Sequence, residues 1–562
     1  MKKILALFMA LIMLVGVLTA CDGSVIILGT ENVGEQSANT RKPDDLDNPG
    51  NGNSSSNGSI NGTDKETGRD EEWETDGYGS VSFTSVLPVE DFDFEGECIE
   101  IVVRNAINVQ REWYKDVAED DLDEVIAMRN ESVADTLNLV VRYELVASSL
   151  YDDCLSEFTR LIIDDVDSDF HYYDIAANYA YAGASAAVRD YIANLADEEL
   201  FPYFEFSLPC WNQSMVRNTM ADDQLYYITG DLNLSTFDKS IVVFLNKTMY
   251  NEKKTSSDPA DLQDVAIAGD WDYDMLYRWS SVFEKINNED GAQHDDFYGI
   301  SSAFSSIPVD AFPAAWDLEF IKKESDGSHA YDIVGNSKIE EAIVKVQNLL
   351  DGTKAAGVNN ADNTDECSLG GYFEPITHLA NDKSVFAIHL LYATEEDNVT
   401  LREMSSDWGI LPIPKYDADS QEKYGTTAHD SYTLVTVIDH NNSSIPLKGN
   451  EISTYLQYSY EQSYDCVRGY YINRVIRPKY FGSDDTTGSL AKSTKILNEI
   501  MDNVEFSFAS VYAPQLNGVL NQCWRKVVLG YADETTAEDA FLDQEGMYVS
   551  DLEAVDTWLG LK

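Results

Sequence analysis

Residues that could do chemistry are plentiful in this chain, but their spacing assembles no reaction centre. There is no G-x-x-x-x-G-K-[ST] phosphate loop, no G-x-S-x-G elbow, no H-E-x-x-H helix and no G-x-G-x-x-G turn opening a helix. Ser489-Leu490-Ala491-Lys492 satisfies S-x-x-K, yet the S-D-N and K-T-G partners that would complete an acyl-transfer site are missing. Seven histidines (His171, His294, His329, His378, His389, His429 and His440) are scattered without metal-ligand spacing. The 99 carboxylates contain many pairs that could act as acid and base, so a pair alone does not mark a glycosidase. Beyond Cys21 there are cysteines at 98, 154, 210, 367, 466 and 523, with no C-x-x-C among them, and the sequence leaves open whether they pair. No catalytic residue, metal site or cofactor is expected.

The pattern offers recognition chemistry instead, in aromatic residues at the ends of apolar runs. Ile99, Ile101 and Val103 alternate as in a strand, and Leu122, Val125, Ile126, Val133 and Leu137 recur at helical spacing. A second strand pattern follows from Leu139 to Leu145, then a helix face from Leu155, Phe158, Leu161 and Ile162, then a short strand from Tyr173 to Ala177. Strand, helix, strand, helix, strand predicts a parallel α/β sheet, whose ligands bind beyond the carboxyl ends of the strands. Asn178-Tyr179-Ala180-Tyr181 leaves the last strand and so falls where such a crevice opens, although a tyrosine packed beneath its loop fits the same pattern. Farther on, Ser337 and Glu340 form a capping box ahead of an amphipathic helix, and Val385 to Leu391 reads as a buried strand ending at Tyr392. Asp430-Ser431-Tyr432 precedes another strand, Thr433 to Ile438. The two halves share one class, which predicts two α/β lobes.

With 39 basic and 99 acidic residues the formal charge is −60, which repels phosphate backbones and anionic lipid heads and excludes nucleic acid as a partner. Met1-Lys2-Lys3, an apolar run from Ile4 to Leu18 and then Leu18-Thr19-Ala20-Cys21 have the layout of a secretory signal. The small residues before Cys21 resemble the lipobox of bacterial lipoproteins, which implies that Cys21 is lipidated and becomes the mature N-terminus. From Asp22 to about Glu90, Gly, Ser, Asn, Asp and Thr dominate, too polar to offset ordering entropy. Such a tether, about 65 residues long, reaches roughly 45 Å as a flexible coil.

Several further segments carry a family resemblance: Leu225-Tyr226-Tyr227-Ile228-Thr229-Gly230-Asp231 followed by Phe244-Leu245-Asn246-Lys247; Trp271-Asp272-Tyr273-Asp274; Asp296-Phe297-Tyr298-Gly299-Ile300; and Asp407-Trp408-Gly409-Ile410-Leu411-Pro412-Ile413-Pro414-Lys415. With Arg129-Asn130-Glu131 and Phe201-Pro202-Tyr203-Phe204 they resemble, from about Glu97 to Lys562, the extracellular solute-binding lipoproteins of ABC importers, in their sugar-binding, family 1-like branch. The resemblance implies a two-lobed, periplasmic-binding-protein-like (type II) α/β fold whose hinge lets the lobes close on a ligand. Its implied layout is a signal over 1–20, lipidated Cys21 and tether over 21–94, first lobe over 95–240 with return over 421–492, and second lobe over 241–420 with a helical C-terminal part over 493–562.

The crevice contacts implied by the resemblance are Tyr179, Tyr181, Asp231, Asn233, Trp316, Asp317, Tyr392 and Tyr432. Sugars present apolar C–H faces and a fringe of hydroxyls, so aromatic planes with carboxylates or amides suit them. Trp316 after Pro313-Ala314-Ala315 fits a core plug equally well, and Asp231 and Asn233 fit turn formers. Cys210 departs from the family pattern and sets Trp211 aside. No Arg or Lys stands among these candidates, so a neutral carbohydrate, an oligosaccharide, is expected rather than an anion. The implied partners are that ligand, the importer's permease subunits and, through the lipid anchor, the outer face of the cytoplasmic membrane. A secreted glycoside hydrolase and a sensory or adhesive lipoprotein remain the alternatives.

Overall fold

The computed structural model describes residues 85–562 apart from 106–111, 115–117, 119, 148–150, 169–170, 181–183, 284–296, 303–307, 353–373, 395–398, 430, 441–445, 473–488 and 530–539. Cys21, nearly all of the expected tether and Tyr181 lie outside the described residues. The strands, in chain order, are β1 (Glu97–Asn105), β2 (Leu139–Ala147), β3 (Ile175–Tyr179), β4 (Ile241–Asn246), β5 (Tyr298–Ser302), β6 (Ile321–Lys323), β7 (His329–Tyr331), β8 (Ser384–Leu390), β9 (Trp408–Leu411) and β10 (Thr433–Val437).

They form two sheets and a ribbon. The first sheet has the order β10-β3-β1-β2, with β1 parallel to both β2 and β3 and β10 antiparallel to β3. The second has the order β5-β8-β4-β9, with β5 parallel to β8 and β4 antiparallel to β8 and β9. The short β6 and β7 pair separately.

Local chemistry explains the first crossover. Asp120 caps helix Asp121–Leu137 by accepting from the Asp123 amide at 2.9 Å, and Asp121, Asp123 and Glu124 oppose the positive end of the helix dipole. Leu122, Val125, Ile126, Val133 and Leu137 bury one face of that helix. Asn138 then ends it in the left-handed region (φ 49°), which a short amide side chain tolerates, and β2 starts at the next residue. Helix Gly449–Gln462 covers the same side of this lobe. In the second lobe the predicted helix runs from Ser337 to Gly352, but its cap is Asn336, which accepts from the amides of Lys338 and Ile339. The capping box expected at Ser337 is therefore one residue late.

The lobes are joined by extended segments. Ser240 pairs antiparallel with Ala428, flanked by Ile241 N to Thr427 O at 3.1 Å and His429 N to Lys239 O at 2.9 Å. A third segment joins on the far side, where Thr426 pairs in parallel with Val504 through bonds to Asn503 O and from Glu505 N. The C-terminal helices touch both lobes: Phe508–Tyr512 packs on Gln213–Thr219, and Pro514–Leu529 on Ser337–Gly352.

Candidate ligand site at the crossing segments

Hydrogen bonds bring the carboxyl ends of the parallel strands in both sheets to the crossing segments. Where β3 ends, Ala180 N donates to Tyr432 O at 3.0 Å, so the residues entering β10 lie at the carboxyl ends of β1 and β3. Where β8 ends, Leu391 N donates to Ser240 O at 2.9 Å, which sets Tyr392 beside the segment that enters β4. This is the position where open α/β sheets take ligands.

A row of side chains linked through backbone groups crosses the hinge there. The Arg104 guanidinium, on the penultimate residue of β1, lies 3.9 Å above the centre of the Tyr179 ring. Its Nη2 donates to Ser431 O at 3.4 Å, and Ser431 Oγ is 3.1 Å from His429 Nδ1. Through the His429 amide the row continues to Lys239, whose Nζ lies 4.1 Å from the centre of the Tyr392 ring. Arg104 is only 4% exposed and Lys239 8%, while both tyrosines are half-buried. Desolvated cations over tyrosine faces gain about 2 kcal/mol each.

Tyr179 and Tyr392 are thus brought to one row, one from each lobe, and Tyr432 stands directly behind it with its ring 4.7 Å from Phe506. The others are placed elsewhere. Asp231 is inside, where its Oδ1 faces Arg468 Nη1 at 3.4 Å, and Arg468 in turn donates to Asp502 at 2.6 Å and Asn498 at 3.1 Å. Burial pushes the Asp231 carboxyl up to about 7 against the pull of that guanidinium. The Gly-Asp turn is held tightly, because a Cβ on Gly230 would fall 2.2 Å from the Cys210 carbonyl oxygen. Asn233 is enclosed and donates to Thr229 Oγ1 at 3.1 Å and Tyr460 OH at 2.8 Å. Trp316 has no exposed surface: Nε1 donates to Pro414 O at 3.0 Å, and Phe312, Tyr416 and Tyr273 surround the indole. Asp317 is on the surface, accepting from Gln421 Nε2 at 3.1 Å. Trp211 is enclosed against Tyr460.

Sequence reasoning missed Arg104 and Lys239, and with them the fact that the row carries cations. The signal was a charged residue beside a buried apolar run: Val102-Val103 immediately before Arg104, and Ile241-Val242-Val243 one residue beyond Lys239. Glu112 was missed as well. Its carboxylate accepts from Ser235 N at 2.7 Å, Ser235 Oγ at 3.0 Å and Thr433 Oγ1, and its carbonyl accepts from Arg129 Nη2 at 2.6 Å. It pins the segment after β1 to the start of β10, and burial pushes it up to about 7.

A glycosidase acid would also have a raised pKa, but it must face its substrate. Glu112 and Asp231 are 0% and 3% exposed and are bonded to protein donors, so neither is aimed at a cleft. Among the described residues no group of three or more His, Cys, Asp or Glu is placed to hold a metal ion. Cys98, Cys210, Cys466 and Cys523 are not in disulfides.

Two α/β lobes, extended crossings between them and strand ends converging on those crossings define the two-lobed binding-protein fold. The sugar-binding protein MalE from the phytopathogen Xanthomonas citri has this fold: at 10% identity it superposes with a TM-score of 0.51 over 82% of this chain and 98% of its own. A cyclic alpha-maltosyl-1,6-maltose binding protein from Arthrobacter globiformis gives 12% identity and a TM-score of 0.46 over 82% and 99%. An ABC substrate-binding protein from Listeria monocytogenes in complex with cycloalternan gives 12% and 0.44 over 83% and 100%. No protein-family model matches the sequence, and no curated protein sequence does.

Proposed function

We propose that this protein is the extracellular substrate-binding component of an ABC importer, which captures a neutral oligosaccharide by closing its lobes and releases it unchanged. The observation that carries this reading is the row from Arg104 and Tyr179 to Lys239 and Tyr392, which sets aromatic and polar groups from both lobes against the hinge. The MalE fold supports it, since the protein from X. citri is a sugar-binding one. Arg104 and Lys239 remove the argument that a neutral ligand follows from the absence of cations, but they do not require an anion: each lies on the electron-rich face of a tyrosine, and the neutral class now rests on the aromatic residues and the sugar-binding fold. In this reading Tyr181, which follows β3 in the sequence, is a further aromatic contact, while Tyr432, 2% exposed and packed on Phe506, supports the row from behind rather than lining the site.

Calorimetry of the mature chain against maltotetraose, cellotetraose and xylotetraose, with chromatography of the recovered sugar, tests it. Binding with no change in the sugar is the expected result. Release of shorter sugars, abolished by replacing one carboxylate, would establish a glycoside hydrolase instead.

The same reading places the protein on the outer face of the cytoplasmic membrane, anchored through Cys21 and delivering to permease subunits. Among the described residues no helix is long and apolar enough to cross a membrane. Two acyl chains on Cys21 would anchor stably, at about 0.8 kcal/mol per buried methylene. A Cys21→Ala variant is expected in the culture medium or as uncleaved precursor. Processed variant retained on membranes like the parent would remove the anchor from this account.

A further inference from the structure

We propose that Glu112 is a positioning residue of the ligand site, whose carboxylate holds the outbound and the return crossing segments together at their first-lobe ends. The inference rests on the carbohydrate reading and deepens it. Donors from both segments converge on this one carboxylate. The Ser235 amide donates to Oε2 at 2.7 Å and the Ser235 hydroxyl to Oε1 at 3.0 Å, both from the stretch that leads into β4. Thr433 Oγ1, on the first residue of β10, donates to Oε1. The two segments are also bonded to each other, Thr433 N to Ser235 Oγ at 2.9 Å, so the carboxylate closes a ring of hydrogen bonds. Lys239 follows Ser235 on the outbound segment, and His429 and Ser431 precede Thr433 on the return, so this ring sets how the residues at the hinge stand to one another.

A carboxylate can hold two moving segments only if it is itself fixed. Arg129 Nη2 donates to Glu112 O at 2.6 Å, Asn130 Nδ2 to Trp113 O at 2.7 Å, and Arg129 Nη1 to Ser463 Oγ at 2.8 Å. Helix Asp121–Leu137 and the end of helix Gly449–Gln462 therefore anchor it in the first lobe. Glu112, Ser235 and Thr433 have no exposed surface, so a bond broken among them leaves a buried group unpaired. Among the described residues the charged and titratable groups around the carboxylate are Arg129 from the first helix, Asp238 from the outbound segment and Tyr460 from the second helix. Ionised, the carboxylate accepts from all of its donors; protonated, one oxygen carries a proton of its own and an acceptor position is lost. Burial pushes the carboxyl up to about 7, so the two forms exchange near neutrality. Stability and affinity then move in opposite directions. Because the folded carboxyl lies above its ordinary value near 4.5, its contribution to stability is fully present below that value and is lost as the pH rises through 7. The ionised form binds the two segments most fully, so affinity for the sugar rises over the same range.

Calorimetry between about pH 6 and pH 8, with whichever of the three tetrasaccharides binds the parent, tests this. Parental affinity is expected to rise about three- to tenfold with pH, tenfold corresponding to one unit between the carboxyl's pKa in the free and bound protein. Glu112→Gln, which keeps one acceptor oxygen, should bind roughly 10-fold more weakly than the parent at the upper end and show no slope. Asp231→Asn, which removes the other carboxyl held near 7, should keep the slope, as should His429→Asn. Hydrogen–deuterium exchange of the ligand-free protein gives a readout that needs no sugar. Peptides covering 235–241 and 428–437 should exchange several-fold faster in Glu112→Gln, while 337–352 in the second lobe keeps the parental rate. Thr433→Val, which removes one donor, covers the case in which Glu112→Gln does not fold, and should give a smaller change of the same kind. A flat parental profile overturns the inference, as does a parental slope in Glu112→Gln or a slope lost in Asp231→Asn or His429→Asn. So does exchange that quickens equally in both lobes, since Glu112 would then support the fold as a whole. A parent that binds none of the sugars refutes the carbohydrate reading, while exchange at the two segments still decides whether Glu112 holds them.

Discussion

Replacing Arg468 by Met is expected to lower the unfolding free energy by about 3–5 kcal/mol, the usual cost of stranding one member of a buried ion pair. Arg468 is the cation against Asp231, and it also ties the end of helix Ser489–Asp502 through Asp502 and the side chain of Asn498. A second substitution, Asp231→Asn, should recover much of the loss by removing the stranded charge. The pH dependence has a definite sign. Burial raises the folded carboxyl to about 7, above the ordinary value near 4, so the folded chain binds this proton more tightly than the unfolded one. This group's contribution is fully present below about pH 4 and is lost as the pH rises through 7. Without the guanidinium the carboxyl rises further, so Arg468→Met should keep losing stability above pH 7. Urea unfolding at several pH values measures both effects, and a loss below 1 kcal/mol would show that the pair contributes little.

Trp316→Ala is expected to cost about 3–5 kcal/mol as well, by a different mechanism. The indole is enclosed by Phe312, Tyr416 and Tyr273 with its Nε1 bonded to Pro414 O, so truncation leaves a cavity and an unmet carbonyl. Ligand affinity, measured well below the variant's melting temperature, should stay within about twofold of the parent, since no indole atom reaches a surface. A tenfold loss of affinity in folded variant would return Trp316 to the ligand site.

These two residues also show what a sequence reveals and what it withholds. Strand β1, helix Asp121–Leu137 and strand β8 were legible because burial on one or both faces imposes a period on the chain itself. The third strand was placed two residues early: Tyr173-Asp174 reads as strand, but the Asp174 carboxylate accepts from Glu100 N and the paired run starts at Ile175. Trp316 was ambiguous because Pro313-Ala314-Ala315 says that a helical turn ends there and nothing about which way the indole points. Asp231 was illegible because its partner lies 237 residues away. The site was half visible for the same reason. Tyr179 and Tyr392 declare themselves at strand ends, whereas the cations above them become neighbours only when β1 lies beside β3 and the Lys239 segment beside the end of β8.

The crossing region has a mechanical consequence. At Thr426 the return segment is bonded on one edge to Ile241, through its Oγ1 and the Thr427 carbonyl, and on the other to Asn503 and Glu505, so the connection is a ribbon rather than a pair of loose cords. A ribbon bonded edge to edge bends easily across its face but resists shear in its own plane and rotation about its normal. The motion it permits is a swing of one lobe about a single line, not a slide of one past the other. Because the Lys239 and His429 backbones are strands of that ribbon, a pull on either side chain acts at the fulcrum, where a small displacement becomes a large one at the rims of the lobes.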